Sequence, residues 1–249
     1  MNSSNRASLE QASTAIHLFD VDYTLLRSST SRYFLVEALK RGIISFRQLR
    51  QLPLEWLRYK IGRVHPDFIE TAVKRLAGID RGVLEDLARL CFDRRLKTNL
   101  YREGLQLITA LRRRGEAVFF ASSSLHTLLE PMERFFAVDG SITSALEFAN
   151  GKTTGRLEGK ALFGPNKLEA VRDWLGERSI DPKTVYFYSD SYTDLPLLEF
   201  AGHPVAVNPD RFLRREARQR NWPILLWQKT LGNCRASHLV DQDYKGEHG

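Results

Sequence analysis

The sequence predicts an α/β fold: a Rossmann-like parallel-sheet core carrying an inserted α-helical cap. Three observations predict it. Short apolar runs recur along the chain and stop at acidic or hydroxyl residues. Helical patterns lie between these runs, the alternation expected of a parallel sheet with right-handed crossovers. A long stretch without a strand pattern, residues 31–97, interrupts that alternation just after the first run.

Taken in order, Ala15–Phe19 (AIHLF) reads as a buried strand that ends at Asp20. The cap follows. Ser45 precedes FRQLRQLPLEWLRYKIG, a helical pattern that Pro53 kinks and Gly62 ends. His65-Pro66-Asp67 opens a second helix with Phe68, Ala72 and Leu76 at four-residue spacing, and Asp80 precedes a third through Val83, Leu87 and Leu90. Leu105, Ile108 and Leu111 then form a helical stripe. Arg112–Arg114 suit its negative dipole end, and Gly115 suits its left-handed exit.

Ala117–Ala121 (AVFFA) is the second strand and ends in Ser122-Ser123-Ser124. Asn150-Gly151 signals a hairpin within Leu146–Gly159. Leu168, Val171 and Trp174 mark a helix stopped at Gly176; Val185–Tyr188, Val205–Val207 and Ile224–Trp227 read as further strands. The expected division is a discontinuous core of residues 14–30 and 98–230, a cap of residues 31–97, and flexible tails at 1–13 and 236–249.

Composition narrows the function. The chain has 249 residues, 43% hydrophobic and 27% charged, which is ordinary globular usage. Two cysteines without a CxxC pair exclude a disulfide framework and a thiolate zinc site. Six dispersed histidines do not support a histidine metal centre. No signal-peptide pattern and no apolar run of membrane-spanning length is visible, so a cytoplasmic protein with no integral membrane segment is expected. The net charge of +7 favours an anionic partner. The arginine-rich segment Asp210–Asn221 carries one aromatic residue and no recognised motif, so it reads as a solvated helix and no nucleic-acid partner is expected.

In such sheets, sites form beyond the carboxyl ends of the strands. Three strand ends supply Asp20-Val21-Asp22-Tyr23-Thr24, Ser122 with Ser123, and Asp190 with Asp194, while Lys167 starts a helix between them. Each alone has a bland reading: a turn acid, a loop serine, a solvated lysine. Together they form one reaction set.

This order resembles the haloacid-dehalogenase-like superfamily. FDVDYTLL at Phe19–Leu26 matches its first motif, Ser122 the second, Lys167 the third, and Asp190 with Asp194 in YSDSYTDLPLL the fourth. Ser122-Ser123-Ser124 followed by Pro131, Gly164-x-x-Lys167, and the tail from Val207 to Leu225 are similar to the phosphoserine-phosphatase-like branch. The resemblance implies a Mg²⁺-dependent phosphatase acting on a phosphate monoester through an aspartyl-phosphate. It implies Asp20 as nucleophile and Asp22 as general acid and then base. Mg²⁺ would lie on the Asp20 and Asp190 carboxylates and the Asp22 backbone carbonyl. Ser122, Ser123 and Lys167 would hold the phosphoryl oxygens. Asp194 would hold the metal through water or orient Lys167, and Thr24 would shape the turn.

The departures from the pattern bear on substrate. Tyr23 stands where Gly, Asn or Ser is commoner, and Ser189 where glycine often precedes the fourth-motif aspartate. Ser29 stands where the phosphoserine phosphatases carry an acid for the substrate amine, which argues against an amine-bearing substrate. Ser28, Ser29 and Thr30 offer hydroxyls instead. Tyr23, Ser29 and Arg32 are candidate substrate contacts, and Arg58, Tyr59, Lys60, Arg63 and Trp56 could add a cationic, aromatic roof. The expected partner is a small phosphorylated metabolite or a lipid phosphate of the phosphatidylglycerophosphate kind. A phosphotransferase and a non-catalytic binder of a phosphorylated ligand remain open, as does the oligomeric state.

Overall fold

The computed structural model describes residues 15–45 and 67–233. A seven-stranded sheet has the order β4-β3-β2-β1-β5-β6-β7. Its strands are β1 (Ile16–Phe19), β2 (Ala117–Leu125), β3 (Gly140–Ala149), β4 (Lys152–Glu158), β5 (Val185–Ser189), β6 (His203–Val207) and β7 (Ile224–Leu225). All pairings are parallel except the β3–β4 hairpin. β1 sits between β2 and β5, with Phe19 in register with Phe120 and Tyr188. β2 to β4 lie on one side of β1 and β5 to β7 on the other, so the carboxyl end of β1 is the topological switch point.

Eight α-helices of six residues or more accompany the sheet among the described residues. They are α1 (Thr30–Lys40), α2 (Asp67–Lys74), α3 (Arg81–Cys91), α4 (Arg102–Arg113), α5 (His126–Phe136), α6 (Pro165–Gly176), α7 (Leu195–Phe200) and α8 (Arg211–Gln219). Alternation along β1 divides the core in two. Ile16 and Leu18 join Val171, Leu175, Leu198 and Leu213 from α6, α7 and α8. Phe19 joins Ile108, Leu129, Leu87 and Phe34 from α4, α5, α3 and α1. Burial on both faces is why this strand is apolar except for His17 rather than regularly alternating.

Most sequence expectations recur. Gly115 takes φ of 74° after α4, and Asn150 and Gly151 take φ of 51° and 76° in the hairpin turn, the paired positive values of a type I′ turn. Two expectations need correction. β2 does not stop at Ala121; it continues through the serines to Leu125, with a register break against β3 between Ser122 and Leu125. Such a bulge turns side chains out of the ladder without ending the strand. β7 ends at Leu225 because the Trp227 amide turns aside to donate to Asn208 Oδ1 (2.8 Å). A helix, α5, also follows β2, carried by buried Leu128, Leu129, Met132 and Phe136 despite Pro131 inside it.

The kinked helix expected over Ser45–Gly62, with Trp56, Arg58, Tyr59, Lys60 and Arg63, lies outside the described residues. Between β1 and β2, α2 and the turn leading into α3 pack against the hairpin. The Gly78 and Arg81 amides donate to Thr153 and Gly151 carbonyls, each at 2.8 Å, and the Thr153 amide returns one to Ile79 (2.9 Å). Gly155, at φ of 78°, permits this approach: a Cβ there would sit 2.9 Å from the Ala77 methyl.

Candidate active site

The site is built at the switch point. The Asp20 amide still donates to the Tyr188 carbonyl (2.9 Å), so the ladder holds the Asp20 backbone. The chain then turns sharply, with Leu25 and Leu26 amides both returning to the Val21 carbonyl. Tyr23 takes φ of 61° in this turn. That left-handed geometry explains why Gly, Asn or Ser suits the position better, and tyrosine bears the strain. Its ring is 44% exposed.

Lys167, on the first turn of α6, is 2% exposed. Its ammonium donates to Asp20 Oδ1 (3.0 Å) and Asp194 Oδ2 (2.8 Å). The Ser189 hydroxyl also donates to Asp194 Oδ2 (2.7 Å), so the serine found in place of glycine has a defined task. Thr24 and Asp190 form a reciprocal pair. The Thr24 hydroxyl donates to Asp190 Oδ1, and the Asp190 amide donates to Thr24 Oγ1, both at 3.0 Å. This pair fastens the turn after β1 to the loop after β5.

Asp22 is tied elsewhere. Its Oδ1 accepts the Thr30 amide (2.8 Å), and its Oδ2 accepts hydroxyls from Ser29 (3.1 Å), Ser124 (3.0 Å) and Thr30 (3.2 Å). Ser122 is buried, and its hydroxyl accepts the Ser124 amide (3.3 Å). Ser123 is half-buried on the bulge, and Arg32 is exposed on α1. The structure thus gathers Asp20, Lys167 and Asp194 by direct contact and links Asp190 to Thr24. It places the Ser29 hydroxyl on Asp22. Sequence reading assigned no role to Ser124, and offered Thr30 only as one of three loop hydroxyls. Both hold Asp22, and no local pattern announces contacts formed across 102 and 8 residues of chain.

The electrostatics are unbalanced. Burial pushes the Asp20 carboxyl up to about 7, against the pull of the Lys167 charge. Burial, with Asp20 and Asp194 nearby, holds Asp190 well above the usual carboxylate range. Burial also raises Asp22, opposed by the donors from Thr30, Ser124 and Ser29. Burial would depress the Lys167 ammonium, but Asp194 and Asp20 outweigh it and hold it above its ordinary value. Two buried carboxylates, Asp20 and Asp194, therefore share one lysine, and the half-buried Asp190 adds a third carboxyl group beside them.

A hard divalent cation fits that excess of negative charge. No cluster of three acidic, histidine or cysteine side chains is ready-made for a metal among the described residues. Mg²⁺ does not require one, since it commonly takes one or two carboxylates, with water or carbonyl oxygens completing the shell. Asp20, Asp190 and the Asp22 backbone carbonyl meet that description.

A parallel sheet with a buried lysine–carboxylate centre at its switch point places polar groups where α/β enzymes bind their ligands. The comparisons agree. Residues 17–199 match the family of haloacid dehalogenase-like hydrolases, and the chain belongs to that family, in its phosphoserine-phosphatase-like branch of phosphatases. A Streptomyces azureus protein named for inhibition of morphological differentiation is 33% identical over 83% of this chain and 76% of its own. A histidinol-phosphatase from Neisseria meningitidis serogroup C is 27% identical, over 84% of this chain and 96% of its own. A Bordetella pertussis protein of unknown function has a solved structure with a TM-score of 0.78 at 26% identity, covering 85% of this chain and 98% of that one. A substrate-bound phosphoserine phosphatase shares the fold, with a TM-score of 0.64 at 18% identity, over 85% of this chain and 92% of its own.

Proposed function

We propose that this phosphatase hydrolyses a small organic phosphate monoester with Mg²⁺, through a phosphoryl group carried on Asp20. The observation that supports this most is the buried Lys167 contact to both Asp20 and Asp194 at the end of the central strand. When bound, Mg²⁺ would supply positive charge against the phosphoryl oxygens. Asp20 attacks phosphorus, the ester bond breaks, and Lys167 offsets charge on the nucleophile and the transferring group. Asp22 gives its proton to the departing alkoxide. It then takes one from the water that cleaves the acyl phosphate, releasing inorganic phosphate and restoring Asp20. Ser122 and Ser123, at the register break near the carboxyl end of β2, would hold phosphoryl oxygens. Thr24 keeps Asp190 aimed, and Asp194 keeps Lys167 aimed.

The substrate is a narrower question. The names of the histidinol-phosphatase and of related Mycobacterium tuberculosis phosphoserine phosphatases point to amine-bearing esters. Position 29, however, offers a hydroxyl already committed to Asp22, not an acid for an ammonium group. Tyr23 and Arg32 stand close enough for the arginine charge to act on the phenol, which suits an ester with a further anionic group. Among the described residues, no helix is long and apolar enough to cross a membrane. A lipid phosphate would therefore have to be met at a surface.

The test is phosphate release from a panel of amine-bearing, sugar, nucleotide and lipid phosphates, with Mg²⁺ and with EDTA, and with Asp20→Asn as control. Metal-dependent release that Asp20→Asn abolishes is the expected outcome. A folded protein that cleaves no ester in the panel would instead favour phosphotransfer or ligand binding without turnover; adding an alcohol acceptor separates those two.

A further inference from the structure

Asp22 is held by an arrangement that its role as acid does not by itself require. Three oxygens, Asp22 Oδ2, Thr30 Oγ1 and Ser124 Oγ, form a triangle with edges of 3.2, 2.9 and 3.0 Å. The Ser29 hydroxyl reaches the same Oδ2 from outside the triangle (3.1 Å). Opposite it, Oδ1 accepts only the Thr30 amide (2.8 Å) among the described residues. Thr30 is fully buried and Ser124 nearly so.

The donors come from two different parts of the fold. Ser29 and Thr30 begin α1, the first helix after the nucleophile strand. Ser124 lies on the bulged end of β2. Ser29 stands at the N-cap position of α1, yet its side chain makes no capping bond to the helix. The Asp22 carboxylate takes the Thr30 amide instead. The side chain is thus clasped between the core sheet and the entry to the helical insertion.

We propose that Thr30 and Ser124, with Ser29, are positioning residues that fix the orientation of the Asp22 carboxyl toward the leaving oxygen. The proposal rests on the phosphatase reading above. The physical argument is geometric. A free carboxyl rotates about two side-chain bonds, and a general acid acts only when its proton lies within hydrogen-bond reach of the leaving atom. Four donors on two oxygens remove both rotations. Oδ2 is saturated by hydroxyls, so Oδ1 is the atom with room for another partner. Hydroxyls also suit a group that must be acid and then base. Each donates and accepts, so Thr30 and Ser124 can meet a carboxylate or a carboxylic acid by turning their O–H bonds while the heavy atoms stay still. With Oδ2 held by hydroxyls, the working proton belongs on Oδ1, the oxygen with room for the leaving atom.

The experiment compares two esters in the Mg²⁺-loaded enzyme. One is an alkyl phosphate, whose leaving alkoxide needs a proton. The other is 4-nitrophenyl phosphate, whose leaving phenolate does not. kcat/KM reports steps through departure of the leaving group, so it isolates the acid's contribution. Thr30→Val keeps the shape and the backbone amide and removes the hydroxyl. Its kcat/KM should fall by about 10- to 100-fold on the alkyl ester and less than about 3-fold on the nitrophenyl ester. Thr30→Ser should restore most of the loss. Ser124→Ala removes the triangle's other corner from the core side and should show the same selectivity, which keeps the test available if Thr30→Val fails to fold.

Equal losses on both esters, or no loss on either, would overturn the positioning role while leaving the phosphatase reading intact. A wild-type protein inactive on both esters would overturn the phosphatase reading and this inference together.

Discussion

At the amino end of β1, His17 lies buried between two partners. Its Nδ1 meets the Tyr188 hydroxyl at 3.0 Å and its Nε2 meets Glu116 at 2.5 Å. Its ring stacks on Tyr186, which stacks in turn on His203. Three residues later, just past the end of β1, Asp20 shares Lys167 with Asp194 while the half-buried Asp190 adds a further carboxyl group whose pKa burial holds well above its ordinary value. Both ends bury polar groups against the same sheet. The first cluster closes on itself: one imidazole, two partners, no ionic surplus. The second cannot close, because its carboxylates outnumber its lysine. A self-satisfied cluster serves the fold, and an unbalanced one marks the place where a cation and an anionic substrate complete the charge.

That difference can be broken most sharply at the nucleophile. Asp20→Asn should lower phosphate release by a factor on the order of 10³ or more. It should not lower thermal stability in metal-free buffer, since it removes a buried carboxylate from an overcharged group while Lys167 keeps Asp194. A melting curve beside an activity assay checks both. A stability loss as large as that of an ordinary core substitution would show that Asp20 also serves the fold.

Lys167→Met tests the same end from the other sign. It leaves Asp20 and Asp194 buried without their shared cation. Removing one partner of such a buried group costs about 3–5 kcal/mol, read as a lower urea midpoint in the metal-free protein. Mg²⁺ should recover part of that loss. At the amino end, His17→Phe should cost about 1–3 kcal/mol by stranding the Tyr188 hydroxyl, while Glu116 keeps Arg114. Activity should stay within about twofold, as befits a site remote from the chemistry. A large activity loss in a folded His17→Phe protein would dissolve the distinction between the two ends.

The two ends were also unequally legible in the sequence. The apolar run before Asp20 marks a strand, and acids at successive strand ends mark a switch-point site, so the position of the chemistry was readable. The burial of Lys167 was not, because its partners lie 147 and 27 residues away. A lysine on a first helical turn looks solvated until the fold brings those carboxylates to it. Ser122-Ser123-Ser124 looked like the end of a strand because serine favours loops; the bulge against β3 lets the strand continue. α5 was hidden by Pro131, although Leu128, Leu129, Met132 and Phe136 carry the apolar stripe. The role of Ser124 and Thr30 depends on three oxygens meeting in space, and no periodicity encodes that.

The smallest expected effect compares the two ends by pH. At the amino end, burial lowers the His17 pKa despite Glu116. The unfolded chain then binds more protons there, so this end loses stability as pH falls through the unfolded value of about 6.5. At the carboxyl end, Asp20 is raised from 3.8 to about 7. The folded chain binds more protons there, so this end loses stability as pH rises from about 4 toward about 7. The two slopes oppose each other at mildly acid pH and only the Asp20 slope remains above about 6.5, so the metal-free protein should change little in stability through mildly acid pH and lose some as pH approaches about 7. Asp20→Asn removes one slope, so its melting temperature should exceed that of the wild type by more at pH 8 than at pH 5. Mg²⁺ prefers the ionised carboxylates, so it should raise the wild-type melting temperature by a few degrees at pH 7.5, and by less at pH 5.5 where protons compete for the same oxygens. Calorimetric scans across that range, with Mg²⁺ and with EDTA, check the signs. A Mg²⁺ shift that is independent of pH would place the metal away from Asp20 and Asp190, and would leave the surplus of negative charge at the end of β1 without its counter-ion.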